Sequence, residues 1–132
     1  MTAQAYIERV RQWAQSDDRV LALALVGSHA CHAARPDSDI DFVIICRDQP
    51  GMARDTSWVR RFGEPVSCAE EDWGTVTSIR ATYADGQEIE FGLAAASWAA
   101  LPVDEGTRRV VSDGIVILSD PSGILERLIA EC

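Results

Sequence analysis

Residues 20–46 read VLALALVGSHACHAARPDSDIDFVIIC. Val20 to Val26 is apolar at every position, as a central strand covered on both faces must be. Ile40 to Cys46 is a second such run, β-branched and preceded by the turn-forming Arg35-Pro36-Asp37-Ser38. The first run ends on Gly27-Ser28, and ten residues later Asp39-Ile40-Asp41 opens the second. Strand side chains alternate, so Asp39 and Asp41 leave one face with Cα atoms roughly 7 Å apart, while Ile40, Phe42 and Ile44 enter the core on the other.

That placement has a chemical consequence. Two carboxylates so close repel each other, and a divalent cation between them relieves the repulsion. Oxygen ligands without a nearby Cys or His suit Mg²⁺ or Mn²⁺, and Mg²⁺ held this way usually shares its shell with substrate phosphates. Gly27-Ser28 at the end of the neighbouring strand leaves room for close approach, with backbone N–H groups and the Ser28 hydroxyl available to phosphate oxygens. A nucleotide is the expected ligand.

Working outward, Tyr6, Ile7, Val10, Trp13 and Ala14 recur at helical spacing and predict an amphipathic helix that stops near Ser16-Asp17-Asp18. Downstream, Gln49-Pro50-Gly51 is expected to break the second strand. A short helix capped by Asp55 or Thr56 then buries Trp58, Val59 and Phe62. Glu70-Glu71-Asp72 reads as a solvated loop. Thr75–Tyr83 and Gln87–Leu93 alternate around Ala84-Asp85-Gly86, a hairpin signal. A two-residue turn would mix Arg80 with Ile89 and Phe91. A three-residue turn with Gly86 in the left-handed conformation pairs Tyr83 with Gln87 and puts Arg80, Thr82, Glu88 and Glu90 on one face, and that register is adopted here. A helix around Glu105–Val111, a strand Ile115–Leu118 and a final helix from Asp120-Pro121, with Ile124, Leu125, Leu128 and Ile129 inward, complete the chain. The order predicts an α/β (α+β) class with a mixed sheet, its helices packed on one face, in a single domain spanning residues 1–132.

In that register Glu90 stands on a neighbouring strand as a third carboxylate and would complete a two-metal site for in-line displacement at phosphorus. Glu88 points the same way and remains an alternative ligand, although the apolar neighbours Ile89 and Phe91 favour Glu90 as the deeper of the two. Arg80 either clamps phosphate or pairs with Glu90 across the hairpin. His29 and His32 flank Cys31 but cannot wrap a tetrahedral zinc without further ligands. Trp13, Trp58, Trp73 and Trp98 read as core or surface aromatics rather than as platforms for a base.

The 132 residues carry 12 basic and 21 acidic side chains, a formal charge of −9, with 47% hydrophobic and 25% charged residues. Such a composition excludes disorder and coiled coil as the dominant state and makes nucleic acid an improbable partner. Every basic residue is Arg, so lysine Schiff-base and phosphate-loop lysine chemistry are both excluded. Four widely spaced cysteines, no CxxC, no signal-peptide pattern and no membrane-length apolar run predict a reduced, cytoplasmic chain away from membranes.

The Gly27-Ser28 segment with Ala30, followed by Ala34-Arg35-Pro36-Asp37-Ser38-Asp39-Ile40-Asp41, resembles the polymerase-beta-like nucleotidyltransferase superfamily, especially its small single-domain members and the aminoglycoside nucleotidyltransferases. Tyr83 to Gly92, which contains Glu88 and Glu90, resembles that family's third-carboxylate strand, and Thr107-Arg108-Arg109-Val110-Val111 and Asp120-Pro121 resemble its tail. The resemblance runs from about Val20 to the end. One departure stands out: Cys31-His32 occupies the place where members commonly carry Arg-Gly.

The resemblance implies a nucleotidyltransferase fold and transfer of a nucleoside monophosphate from a Mg²⁺-bound NTP to an acceptor hydroxyl, with release of pyrophosphate. Asp39, Asp41 and Glu90 would hold metal and carry catalysis, and Gly27 and Ser28 the β- and γ-phosphates. The acceptor is a small molecule or a protein. A chain of this size leaves one edge of the site open, to be completed by a homodimer or by a protein acceptor. A non-catalytic interaction protein, an antitoxin-like partner of a helical protein, is the rival from a different class.

Overall fold

The Thr2 hydroxyl accepts the Ala5 amide and so starts α1 (Ala3–Ser16) in the computed structural model, which describes residues 1–35 and 37–132. The helix ends where Asp17 turns away in an extended conformation, in agreement with the sequence reading. Its buried stripe is Tyr6, Ile7, Val10, Trp13 and Ala14.

Six strands follow: β1 (Val20–Val26), β2 (Ile40–Cys46), β3 (Pro65–Asp72), β4 (Val76–Tyr83), β5 (Glu88–Ala94) and β6 (Ile115–Ser119). They form one mixed sheet in the order β3-β4-β5-β2-β1-β6, in which β2 and β5 run parallel and the other neighbours antiparallel. The β4–β5 hairpin has the register expected for a three-residue turn: the Tyr83 amide donates to the Gln87 carbonyl, Gly86 has a φ of +93°, and Arg80 stands opposite Glu90. The turn expected at Arg35–Ser38 includes Pro36, which lies outside the described residues, although the Ser38 amide reaches the Arg35 carbonyl at 3.0 Å.

Among the described residues, four helices and several 3-10 turns accompany the sheet. They are α1, α2 (Gln49–Arg54), α3 (Glu105–Asp113) and α4 (Ile124–Ala130). The mixed α/β class is as expected, but the helices do not share one face. On one side of the sheet α1, α2 and a 3-10 turn at Ser57–Arg61 cover Leu23, Phe42, Ile44, Ile89 and Phe91. On the other, α4 and a 3-10 turn at Ala96–Ala99 cover Ala24, Val43, Ile45 and Ala94 through Leu125, Leu128 and Trp98. Both faces of β1 and β2 are apolar, so both must be covered, and a single layer could not do it.

One helix is added and three local expectations are corrected. Gln49-Pro50-Gly51 lies beyond the end of β2 at Cys46, as expected, and also begins α2, a helix absent from the sequence reading: Asp48 caps it by accepting the Gly51 amide, and proline suits a first turn whose N–H groups have no helical partner. Glu70-Glu71-Asp72 lies in the edge strand β3, paired with β4, where exposed carboxylates keep an open sheet edge soluble. The final helix starts at Ile124, three residues after Pro121, while Asp120 accepts the Leu125 and Glu126 amides from outside it. The segment that buries Trp58 and Val59 is a 3-10 turn, followed by the fully buried Phe62.

The larger core is aromatic at its centre. Phe91 stacks on Phe42 at 5.9 Å and on Phe62 at 5.5 Å, and meets Trp58 edge-on at 5.1 Å. Because these rings hold β5 against β2, they set the height at which Glu90 stands beside Asp41.

Candidate functional site

Asp41 and Glu90 are direct neighbours across the parallel β2–β5 pair, and Arg80 faces Glu90 across the β4–β5 pair. With Asp39 two residues before Asp41 on the same face, the topology brings the predicted aspartates at the start of β2 beside the predicted glutamate and arginine of the β4–β5 hairpin. The site lies just beyond Val43 on the face that α4 and the Trp98 turn cover.

Gly27 completes the geometry from β1. Its φ is +72°, and a Cβ placed on it would stand 2.3 Å from Asp41 Oδ2. Only glycine fits both the backbone conformation and the carboxylate lying against it. The Gly27 carbonyl accepts the Ala30 and Cys31 amides as a 3-10 turn, Gly27–His29, carries Ser28 away from the strand end.

Arg80 is the positive centre of the cluster. Its guanidinium donates to Asp39 at 2.9 Å, to Glu90 at 3.0 Å and to Glu71 at 3.2 Å, and stands 3.5 Å from Glu88. These bonds, the one to Glu71 foremost, hold the guanidinium firmly protonated. Pairing with Glu90, one of the two roles open from the sequence, is therefore present, and pairing with Asp39 and Glu71 comes with it. Glu71 was missed because the acidic stretch read as loop, and an edge strand opposite Arg80 was the signal that could have found it. Among the described residues, no three His, Cys, Asp or Glu side chains converge as a preformed metal cage.

Asp41 is left with uncompensated charge. Burial first, then the charge and hydrogen bond of Glu90, push its carboxyl up to about 6, whereas an aspartate in an unfolded chain titrates near ~3.9. The folded state thus holds this proton more tightly than the unfolded chain. Its stabilisation is complete below about pH 4, declines as the pH rises toward 6, and is gone above that. In metal-free protein, the stability of Asp41→Asn relative to the parent should therefore rise between pH 4 and 7. Urea melts across that range measure the difference, and a constant difference would contradict the assignment.

The Cys31-His32 departure has a backbone consequence. His32 has a φ of +60°, the only non-glycine residue with positive φ among those described. Glycine takes that conformation without Cβ strain. His32→Gly is expected to leave the fold unchanged and to alter stability by no more than about 1 kcal/mol, with relief of strain opposing the added freedom of the unfolded chain. A loss above about 2 kcal/mol in urea melts would show that the imidazole itself holds the turn. His29 Nε2 is buried without a hydrogen-bond partner among the described residues.

The family model for streptomycin adenylyltransferase matches residues 1–130. The chain belongs to the streptomycin adenylyltransferase family. With it comes membership of the nucleotidyltransferase superfamily that the Gly27-Ser28 and Asp39-Ile40-Asp41 spacing resembles. Among solved structures, an aminoglycoside 6-adenyltransferase from Bacillus subtilis superimposes with a TM-score of 0.59 at 15% identity, covering 75% of this chain and 37% of that one. This likeness shows a shared fold, and the chain spans little more than a third of that enzyme's length. Terminal uridylyl transferase 4 from Trypanosoma brucei, solved with bound UPU, matches at a TM-score of 0.45 and 12% identity over 70% of this chain and 35% of that one. No curated protein sequence matches the chain.

No helix among the described residues is long and apolar enough to cross a membrane. All four cysteines are free thiols, with Cys46 buried and Cys31, Cys68 and Cys132 exposed.

Proposed function

We propose that residues 1–132 act as a nucleotidyltransferase domain that moves AMP from Mg²⁺-bound ATP to a hydroxyl of a cationic small molecule. The observation that carries the reading is the register that sets Glu90 beside Asp41, with Asp41 lying against a glycine at the end of the adjacent strand. The donor set fits a hard divalent cation: it is all oxygen, and burial beside Glu90 leaves Asp41 short of positive charge. Asp39, Asp41 and Glu90 would hold it, with Arg80 yielding Asp39 and keeping Glu71. Bound there, Mg²⁺ neutralises charge on the triphosphate and on the oxygens that make and break bonds to phosphorus.

Gly27 and Ser28 hold the β- and γ-phosphates, where the missing side chain at Gly27 lets the triphosphate approach the strand end. Glu90 accepts the proton of the acceptor hydroxyl as its oxygen bonds to the α-phosphorus. The bond from that phosphorus to the bridging oxygen breaks, and its electron pair leaves with pyrophosphate. Arg80 orders Asp39 and Glu90 before substrate arrives, and it reaches a phosphate only by giving up one of them.

Of the acceptor classes open from the sequence, the family's description supports a small molecule. The formal charge of −9 favours a cationic one, because an anionic acceptor would be repelled. Incubation with Mg²⁺, ATP labelled at the α-phosphate and streptomycin should move label to the aminoglycoside and release pyrophosphate in equal amounts, and EDTA should stop both. Absence of pyrophosphate release with a panel of aminoglycosides would overturn the reading.

One observation favours the non-catalytic alternative: Arg80 already pairs with Asp39 and Glu90, so the carboxylates have a partner without metal. Calorimetry with Mg²⁺-ATP separates the two, since the alternative expects no metal-dependent heat.

A further inference from the structure

Across the sheet the candidate groups stand in a fixed order. Gly27 ends β1, Asp41 lies on β2, Glu90 on β5, Ser78 and Val76 on β4, and Trp73 in the turn that joins β3 to β4. Adjacent strands are ~4.8 Å apart. In an in-line displacement the leaving pyrophosphate and the attacking oxygen lie on opposite sides of the α-phosphorus. If the phosphates sit at Gly27, the acceptor enters from the Glu90 side, toward Trp73.

A cavity of about 360 Å³ spans that path from Gly27 onward, with Asp41, Glu90, Val76, Trp98 and Trp73 also in its walls. Its floor is bare backbone at Gly92, where an added Cβ would come within 3.1 Å of the Phe42 carbonyl and 3.3 Å of Val76. Trp73 is 63% exposed, whereas Trp13, Trp58 and Trp98 are buried. Its amide nevertheless donates to the Val76 carbonyl at 2.9 Å, which fixes the turn at the cavity mouth. Among the described lining residues the charged ones are Asp41 and Glu90, both acidic.

We propose that Trp73 is an acceptor-positioning residue, whose indole face takes the ring and a neighbouring ammonium or guanidinium group of a cationic acceptor while Glu90 faces its hydroxyl. Aromatic faces attract such cations, and the attraction strengthens where water is displaced. A carboxylate-lined cavity with an aromatic wall suits that chemistry better than it suits the purine of a polyanionic nucleotide. The direction of entry rests on the proposed function.

The test uses binding, so it does not depend on turnover. Streptomycin should change tryptophan fluorescence saturably and shield the exposed tryptophan from acrylamide, whereas sucrose should do neither. Trp73→Phe should keep most of the affinity, and Trp73→Ala should weaken streptomycin about tenfold while leaving Mg²⁺-ATP affinity unchanged. Trp73 lies outside both core clusters, so truncating it leaves the core untouched. Unchanged streptomycin affinity in Trp73→Ala, or shielding of Trp73 by Mg²⁺-ATP in place of streptomycin, would overturn the proposal. Trp73-dependent binding without adenylyl transfer would instead sink the proposed function and leave this inference standing.

Discussion

Replacing Asp39 and Asp41 together by Asn should abolish Mg²⁺-dependent ATP binding, weakening it at least about 100-fold, or ~2.7 kcal/mol. Asn keeps the shape of each side chain but removes the charge that draws a hard cation, and without the cation a triphosphate faces the remaining carboxylate of Glu90. The fold should survive. Arg80 retains Glu71 and Glu90 as partners, and a neutral amide at position 41 removes the buried charge that pushes the Asp41 carboxyl up. Calorimetry with Mg²⁺-ATP reads the binding and circular dichroism reads the fold. A folded double variant with parental affinity would sink the assignment of both aspartates.

Glu90→Gln is expected to lower kcat for transfer by about 10³-fold, within the range for loss of a positioned general base, while Mg²⁺-ATP binding changes by only a few fold. Glutamine cannot take the acceptor's proton, and the two aspartates remain to bind the nucleotide. Glu88→Gln should be mild. Glu88 faces Thr82 near the start of β5, and its side chain is 43% exposed against 22% for Glu90. The comparison decides the alternative left open by the sequence: if Glu88→Gln is inactive and Glu90→Gln is not, the third carboxylate has been assigned to the wrong residue. A Glu90→Gln loss that appears only in KM would mean that Glu90 binds without acting on the proton.

Strands β1 and β2 were legible to the residue because apolar runs between turn signals, broken only by Asp41, leave few alternatives. The β4–β5 register followed from the same logic, since a slip by one residue would put Arg80 among Ile89 and Phe91. Local signals failed where tertiary context set the outcome. Pro50 correctly reads as lying beyond the strand, but nothing local announces the helix that begins there, where Asp48 supplies a cap and the buried Met52 an anchor. Glu70 to Asp72 carry no apolar alternation because β3 is an exposed edge, held by its ladder to β4 and not by burial.

By itself the sequence determined the mixed class, the central strands and the face from which Asp39, Asp41 and Glu90 project, because alternation along a strand is a property of the backbone. Only the tertiary structure decided that β5 lies parallel to β2 with Glu90 beside Asp41, that helices cover both faces of the sheet, and that Arg80 reaches Glu71 on β3, Glu90 on β5 and Asp39 just ahead of β2. The contact between Arg80 and Asp39 joins residues 41 positions apart in the chain. Which strands become neighbours is settled by the joint burial of aromatic side chains such as Phe42, Phe62 and Phe91, a many-body packing problem that no local spacing encodes.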